Sequence, residues 1–289
     1  MQFDRVIIVD WSAAGTPTSA TNKANSIWVG VASLGGASEQ THHRTRHAAE
    51  AHLNTLIAER RPQERLLIGF DFAFGYPSGF AATLTGQGSA QAVWAWLSRY
   101  IRDSQANANN RFEVAAQINA MFLAPGPFWG HPRGWSDSRL PDRKSGISYA
   151  DLGLAQMRQV EARVPGAKSP WMLYNPGAVG SQSLMGLPLI HRLTQRNDVA
   201  VWPFSTEPAP IVLAEVYPSL LGKLPASTGL VLDQAQVKLL SEALLWLSRQ
   251  DRLGQLFVVP GDLAPDEGWI LGADQAQLLH DAALQGCRG

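Results

Sequence analysis

The apolar residues of this chain occur in two patterns, which predict alternating strands and helices. Short continuous runs predict buried strands, and they lie at residues 5–10, 26–34, 66–71, 199–204 and 211–217, with a further short run at 256–259. Apolar residues spaced three and four apart predict helices, and they lie at residues 48–60, 90–105, 111–122, 149–163 and 233–250, and as one helix or two at 265–284. The first two strands are joined by a polar linker, so we expect them to form an antiparallel pair. The alternation predicts an α/β fold.

The length of 289 residues is compatible with a single α/β domain at 1–289, in which residues 72–210 form an insertion or lid. In this segment, helical patterns alternate with loops dense in Gly, Pro and Trp, such as residues 124–134. Such loops are too apolar to be linkers. We therefore expect the segment to fold over the core.

Composition excludes several classes of protein. With 45% hydrophobic and 17% charged residues, the chain is not disordered, and its single cysteine excludes disulfide frameworks and thiolate zinc sites. The N-terminus lacks the pattern of a secretory signal, and no apolar run is long enough to span a membrane, so we expect a cytoplasmic protein without membrane partners. The 24 basic and 24 acidic residues balance, which argues against nonspecific binding to long duplex DNA.

Acidic residues at or near the ends of predicted strands suggest a metal site. Asp10 and Asp71 end two apolar runs, Glu215 lies within a third, and the pair Asp266–Glu267 lies at the predicted start of a helix. In open α/β sheets the ligand lies beyond the carboxyl ends of the strands, where acids from distant parts of the sequence can converge. Oxygen ligands without Cys or clustered His favour Mg²⁺ or Mn²⁺. The alternative is that each acid is a turn former or a helix cap.

Basic residues concentrate in the segment 130–170, which has seven bases and four acids. Arg133, Arg158 and Lys168 in this segment are candidates for positioning a phosphate group. Nearby tryptophans could stack on bases of a nucleotide or a single strand, although filling space beneath the long loops is the simpler role for them.

The order of the elements and three short motifs resemble the ribonuclease H-like fold. The motifs are residues 9–12 (VDWS), 69–77 (GFDFAFGYP) and 215–218 (EVYP), with Lys223 behind them. They are similar to the prokaryotic family known as domain of unknown function 429, whose members are described as predicted nucleases of that fold. The resemblance implies a mixed sheet flanked by helices.

By the same resemblance, Asp10, Asp71, Glu215 and Glu267 or Asp266 are the metal-binding and catalytic acids. Ser12, in the first motif, and Lys223 are candidates for contact with the substrate.

The leading hypothesis from the sequence is a divalent-metal-dependent phosphoester hydrolase, nuclease-like, acting on a nucleotide or on a small or single-stranded nucleic acid. Two alternatives stay open. One is a ligand-binding or interaction protein that keeps the fold without catalysis. The other is a nucleotide-dependent enzyme of a cofactor pathway, such as that of cobalamin or molybdopterin.

Overall fold

The computed structural model describes residues 1–122 and 125–286, and it is an α/β structure with a six-stranded mixed sheet flanked by helices. The strands are β1 (Arg5–Asp10), β2 (Ile27–Ser33), β3 (Glu39–His43), β4 (Leu66–Phe70), β5 (Val199–Trp202) and β6 (Ile211–Glu215). The α-helices are α1 (Arg46–Ala58), α2 (Phe80–Thr85), α3 (Ala90–Tyr100), α4 (Arg111–Asn119), α5 (Gln159–Arg163), α6 (Gly180–Leu193), α7 (Leu232–Arg249) and α8 (Ala276–Gly286). Short 3₁₀ helices lie at Pro218–Leu221, Pro225–Ser227, Leu253–Leu256 and Ala273–Gln275.

The strand order in the sheet is β3-β2-β1-β4-β6-β5. Strands β1, β2 and β3 pair antiparallel, which confirms the predicted antiparallel pair, while β1, β4, β6 and β5 run parallel. The carboxyl ends of β1, β4 and β6 therefore lie side by side at one edge of the sheet. This arrangement brings residues 10, 71 and 215 to the same end of the molecule.

Alternating side chains of the strands pack into two separate cores, one on each face of the sheet. Ile7 and Val9 of β1 belong to the core formed with α1, α3, α4 and α6, whereas Val6 and Ile8 belong to the core formed with α7 and α8. Successive residues of a strand point to opposite faces, and both faces of this sheet are covered. This explains why the strands are continuous apolar runs rather than alternating ones.

Several predicted elements were wrong or incomplete. The polar edge strand β3 and helix α6 were missed, and of the predicted helix at 149–163 only the short α5 is present. Residues 256–259, predicted as a strand, do not form a strand. Residue 256 ends a 3₁₀ helix, and residues 257–259 have no regular secondary structure. The predicted helix at 265–284 begins only at Ala276.

The segment 72–210 contributes to the sheet as well as to its cover. Strand β5, at one edge of the sheet, lies within it, and helices α3, α4 and α6 supply side chains to the core on one face. Within residues 1–122 and 125–286, none of the helices is both long and apolar enough to cross a membrane.

Candidate functional site

A pocket of about 920 Å³ lies beyond the carboxyl ends of β1, β4 and β6. The ends of these strands, the start of α7 and residues 166–182 contribute to its wall. The segment after β1 is held in place from the other side of the pocket, because the Gln182 side-chain amide donates a hydrogen bond to the Trp11 carbonyl (2.6 Å). The pocket is therefore built jointly by the sheet and the segment 72–210.

Asp10 ends β1, and Asp71 directly follows the adjacent parallel strand β4. The Val9 carbonyl accepts a hydrogen bond from the Asp71 N–H (3.3 Å), and the Trp11 N–H donates to Asp71 Oδ1 (2.7 Å). Burial raises the pKa of Asp71 to about 7, with a further contribution from the Asp233 carboxylate and partial compensation by backbone N–H groups. Burial, then the Asp71 carboxylate and then that of Asp233, raise the pKa of Asp10 well above its usual value. The fold therefore disfavours two negative charges on this pair in the absence of a cation.

Asp233 is a further carboxylate of the pocket near Asp10 and Asp71, and it was not among the predicted site residues. It lies in the first turn of α7, and its Oδ2 accepts a hydrogen bond from the Asn25 N–H (2.7 Å). Burial raises its pKa, and the N–H groups of Asn25, Ser26 and Asp233 itself partly offset this. An acid at the start of a long helix is also what the helix dipole favours, so the sequence pattern did not distinguish it from a cap.

Glu215 does not join these carboxylates, and the register of the sheet explains why. In the register of the sheet, Glu215 is paired with Phe70, and Phe70 with Val9. Glu215 is therefore level with the residues that precede Asp10 and Asp71, one position before these two acids. A shift of one residue moves a side chain to the opposite face of a sheet. Leu213, two residues earlier, belongs to the core with α1, α3, α4 and α6. Glu215 therefore borders the pocket from the other face of the sheet.

The Glu215 carboxylate is neutralised by Arg158, which was predicted to bind phosphate. The guanidinium of Arg158 donates to Oε2 and Oε1 of Glu215 (2.8 and 2.6 Å) and to Oε1 of Glu161. Arg158 is 0% exposed, and Glu215 and Glu161 are 4% and 5% exposed. The Phe74 N–H donates a further bond to Glu215 Oε2 (3.0 Å). Arg158, Glu161 and Glu215 thus form a buried ion-pair network, here called the structural clamp, at the wall of the pocket.

Asp266 and Glu267 hold loops together, and neither lines the pocket. They lie in a turn, not at the start of a helix as predicted. Glu267 accepts hydrogen bonds from the N–H groups of Ser78 (3.0 Å) and Gln159 (2.7 Å), and Asp266 accepts one from Gly79 (3.2 Å). These donors lie at the starts of α2 and α5. The two acids satisfy backbone groups that would otherwise lack a partner.

The other predicted substrate-binding residues divide between the pocket and the outer surface. Ser12 and Lys168 line the pocket. Arg133 and Lys223 are exposed and do not line it. The Ser12 hydroxyl accepts a hydrogen bond from the Ala14 N–H (3.2 Å), which shapes the turn after β1.

Arg111, at the start of α4, is a basic residue of the pocket that was not among the predicted site residues. Its Nε donates to the Ser181 hydroxyl (3.0 Å) and its Nη1 to Asn109 Oδ1 (2.7 Å). Burial, then the charge of Arg46, lower its pKa to about 10, against smaller opposing effects of Glu113 and Tyr174. No ion pair joins Arg111 to an acid in the part of the chain that the structure describes. Its sequence context, a charged residue opening a helix, gave no signal of this role.

The acids of the pocket fit a divalent cation held by few protein ligands. Among residues 1–122 and 125–286, no group of three or more His, Cys, Asp or Glu side chains is arranged to enclose a metal ion. Mg²⁺, however, commonly uses one or two carboxylates and completes its coordination with water and substrate phosphate. Asp10 and Asp71 supply such a pair, and Asp233 adds negative charge nearby.

Comparison of the chain with protein-family models, with curated proteins and with solved structures gives no match. The functional interpretation therefore rests on the geometry of this pocket.

Proposed function

We propose that the protein is a divalent-metal-dependent phosphoester hydrolase with a ribonuclease H-like core, in which Asp10, Asp71 and Asp233 form the acidic centre. The observation that carries the proposal is the gathering of these three acids at one end of a 920 Å³ pocket. Within the described part of the chain, none of the three forms an ion pair with a basic side chain. Carboxylates that repel each other in this way are stabilised by a cation.

The topology of the sheet supports the fold in this proposal. Three antiparallel strands continue into parallel β4 and β6, and acids stand at the carboxyl ends of the two central strands, β1 and β4. These are two of the four positions at which the resemblance to domain of unknown function 429 puts metal-binding acids. In this proposal Asp233 has the role that the resemblance assigns to Glu267 or Asp266.

The residues of the chain have separate tasks in this scheme. Asp10 and Asp71 hold Mg²⁺ or Mn²⁺, and the Trp11 N–H fixes the orientation of the Asp71 carboxylate. When bound, the cation supplies an activated water and neutralises charge on the phosphate oxygens. Asp233 increases the attraction of the pocket for the cation. The volume of the pocket lies in the range of sites for small ligands, which favours a nucleotide or a short single strand as the substrate.

Isothermal titration calorimetry with Mn²⁺ tests the acidic centre directly. We expect the wild-type protein to bind Mn²⁺ and the Asp10→Asn and Asp233→Asn variants to bind it about tenfold or more weakly, the scale at which supporting groups affect metal affinity. Asp274→Asn is the matched control, because Asp274 is exposed and outside the pocket. Equal binding by all four proteins, or none by any, would refute the proposal.

A second candidate function is ligand binding without catalysis. It is favoured by the contacts of Glu215, Asp266 and Glu267 with other groups of the protein, which leave fewer acids than predicted available to a metal ion. Turnover of bis(p-nitrophenyl) phosphate with Mn²⁺ separates the two functions. Hydrolysis by the wild type and its loss in Asp71→Asn support the hydrolase, whereas Mn²⁺ binding without hydrolysis of phosphoesters supports the second candidate.

A further inference from the structure

The pocket contains two basic side chains that no acid neutralises. Arg111 is partly buried, and its hydrogen bonds go to two neutral groups, Ser181 and Asn109. Lys168 is exposed at the pocket, with its aliphatic part against Gly177. Neither residue makes an ion pair with an acid within residues 1–122 and 125–286. Twelve other basic side chains or charged amino groups in that part of the chain do have such a partner, among them Arg46 with Asp103 and Arg158 with Glu215.

The guanidinium of Arg111 is held in place before any ligand arrives. Two of its three nitrogens are oriented, Nε by the Ser181 hydroxyl and Nη1 by the Asn109 amide oxygen. The Ser181 hydroxyl itself donates to the Leu173 carbonyl (2.6 Å), which fixes its position in the first turn of α6. Removing a charged group from water without an opposite charge is unfavourable. A partly buried guanidinium with a fixed orientation is therefore suited to an anion, and its planar set of donors matches phosphate.

The acidic centre and Arg111 lie in one pocket, but they do not neutralise each other. The Arg111 guanidinium donates to Ser181 and Asn109, and within the described residues no hydrogen bond or ion pair joins it to Asp10, Asp71 or Asp233. The two charged regions are therefore separate places within the same 920 Å³ cavity. A ligand that satisfies both has an anionic group at each end.

We propose that Arg111 and Lys168 form a subsite for a second phosphate group, so that the substrate is a small phosphoester carrying two phosphates, one at the acidic centre and one at Arg111. The first half of this inference, the anion subsite, stands on Arg111, Lys168 and the cavity alone. The second half rests on the proposed function, because it assigns the other phosphate to the acidic centre. Tyr174, which is 41% exposed and also lines the pocket, offers an aromatic face for the part of the substrate between the phosphates.

The first experiment tests the anion subsite without metal. Adenosine monophosphate, inorganic phosphate and adenosine are titrated calorimetrically into the protein in excess EDTA. We expect the wild type to bind both phosphates and to bind adenosine more weakly, because the phosphate provides the main interaction. Arg111→Gln should weaken the binding of both phosphates about tenfold or more, and Lys168→Gln about threefold, whereas Asp71→Asn should not weaken it. Arg133→Gln is the control for loss of a surface charge outside the pocket.

The second experiment tests the two-phosphate substrate with Mn²⁺ present. Adenosine 3′,5′-bisphosphate should bind the wild type about tenfold more tightly than adenosine monophosphate does. This advantage should disappear in Asp71→Asn, which loses the acidic centre, and both ligands should bind weakly to Arg111→Gln.

The two experiments fail in distinguishable ways. If Arg111→Gln binds the phosphates as the wild type does in EDTA, the subsite is refuted, whatever Mn²⁺ does. If the subsite holds in EDTA but Mn²⁺ gives the bisphosphate no advantage, the subsite stands and the assignment of a second phosphate to the acidic centre is refuted. Thermal melting checks that Arg111→Gln folds. If it does not fold, the variant of the exposed Lys168 is used instead: phosphate binding by Lys168→Gln equal to that of the wild type refutes the subsite.

Discussion

Replacing Asp71 by Asn should make the metal-free protein more stable, although it removes a proposed metal ligand. Asn keeps the size of the side chain and an oxygen that can accept the Trp11 N–H. Burial raises the pKa of Asp71 from 3.8 to about 7, which means that the fold disfavours the charged carboxylate. Removing this charge removes that cost. The stabilisation is the opposite of what most substitutions in a protein interior produce.

The size and the pH dependence of this effect follow from the shift in pKa. At about 1.4 kcal/mol per pKa unit, a change from 3.8 to about 7 corresponds to at most about 4 kcal/mol. Asp71 is partly exposed, so we expect about 1–2 kcal/mol after allowance for solvent. Between pH 3.8 and about 7, the Asp71 carboxyl keeps its proton in the folded state and has lost it in the unfolded state. The wild type therefore loses stability as the pH rises through this range. Below it, the carboxyl is neutral in both states and the advantage of Asn vanishes.

Urea denaturation in EDTA at about pH 4 and about pH 8 measures this prediction, with Asp274→Asn as the control for loss of an exposed charge. Asp71→Asn should have a higher free energy of unfolding than the wild type only at the higher pH. Addition of Mg²⁺ at that pH should stabilise the wild type and not the variant. Destabilisation of metal-free Asp71→Asn at about pH 8, or an equal gain at both pH values, would show that the carboxylate is not strained by burial.

Two further substitutions test the packing around the site. Arg158→Met leaves the buried carboxylates of Glu161 and Glu215 without their cation, and we expect a loss of about 3–5 kcal/mol in the free energy of unfolding. The exposed control Arg133→Met should change it by less than about 0.5 kcal/mol, and similar values for both variants in urea denaturation would contradict the clamp. Gly186→Ala, in the middle of α6, would place a Cβ 2.2 Å from Cζ of the buried Phe72 ring. We expect a loss of about 1–3 kcal/mol from overpacking, whereas a gain in melting temperature would mean that helix propensity outweighs the clash.

The central strands and the longest helix could be predicted from the sequence because their patterns are strong. Strands β1, β4 and β6 are continuous apolar runs, and α7 has clear helical periodicity. Strand β3 is polar and partly exposed along its whole length, so it gave no signal of burial. Helix α6 was missed because its sequence contains two glycines and Pro188, residues that disfavour helices, and tertiary packing outweighs these preferences.

Only part of the candidate site could be predicted from the sequence. Asp10 and Asp71 end strands, and a strand end is visible in the sequence. The exclusion of Glu215 depends on the register between β4 and β6, which pairs it with Phe70, and register between distant strands is not visible in one sequence. Asp233 and Arg111 reach the pocket through tertiary packing of α7 and α4. A pocket assembled from such distant segments is defined by the fold rather than by a motif.

The order of strands in the sheet has a consequence for how the protein acquires its pocket during folding. Strands β1 and β2 are close in the chain and can pair early, whereas β4 and β6 pair only after a loop of roughly 140 residues, 71–210, has closed. Closing so long a loop has an entropic cost that must be met before the pairing contributes stability. Asp233 lies on α7, which packs against β1 and β2, so the acidic centre also requires the still longer closure between β1 and α7. Binding of a divalent cation would then report one of the last events of folding, after most of the secondary structure has formed.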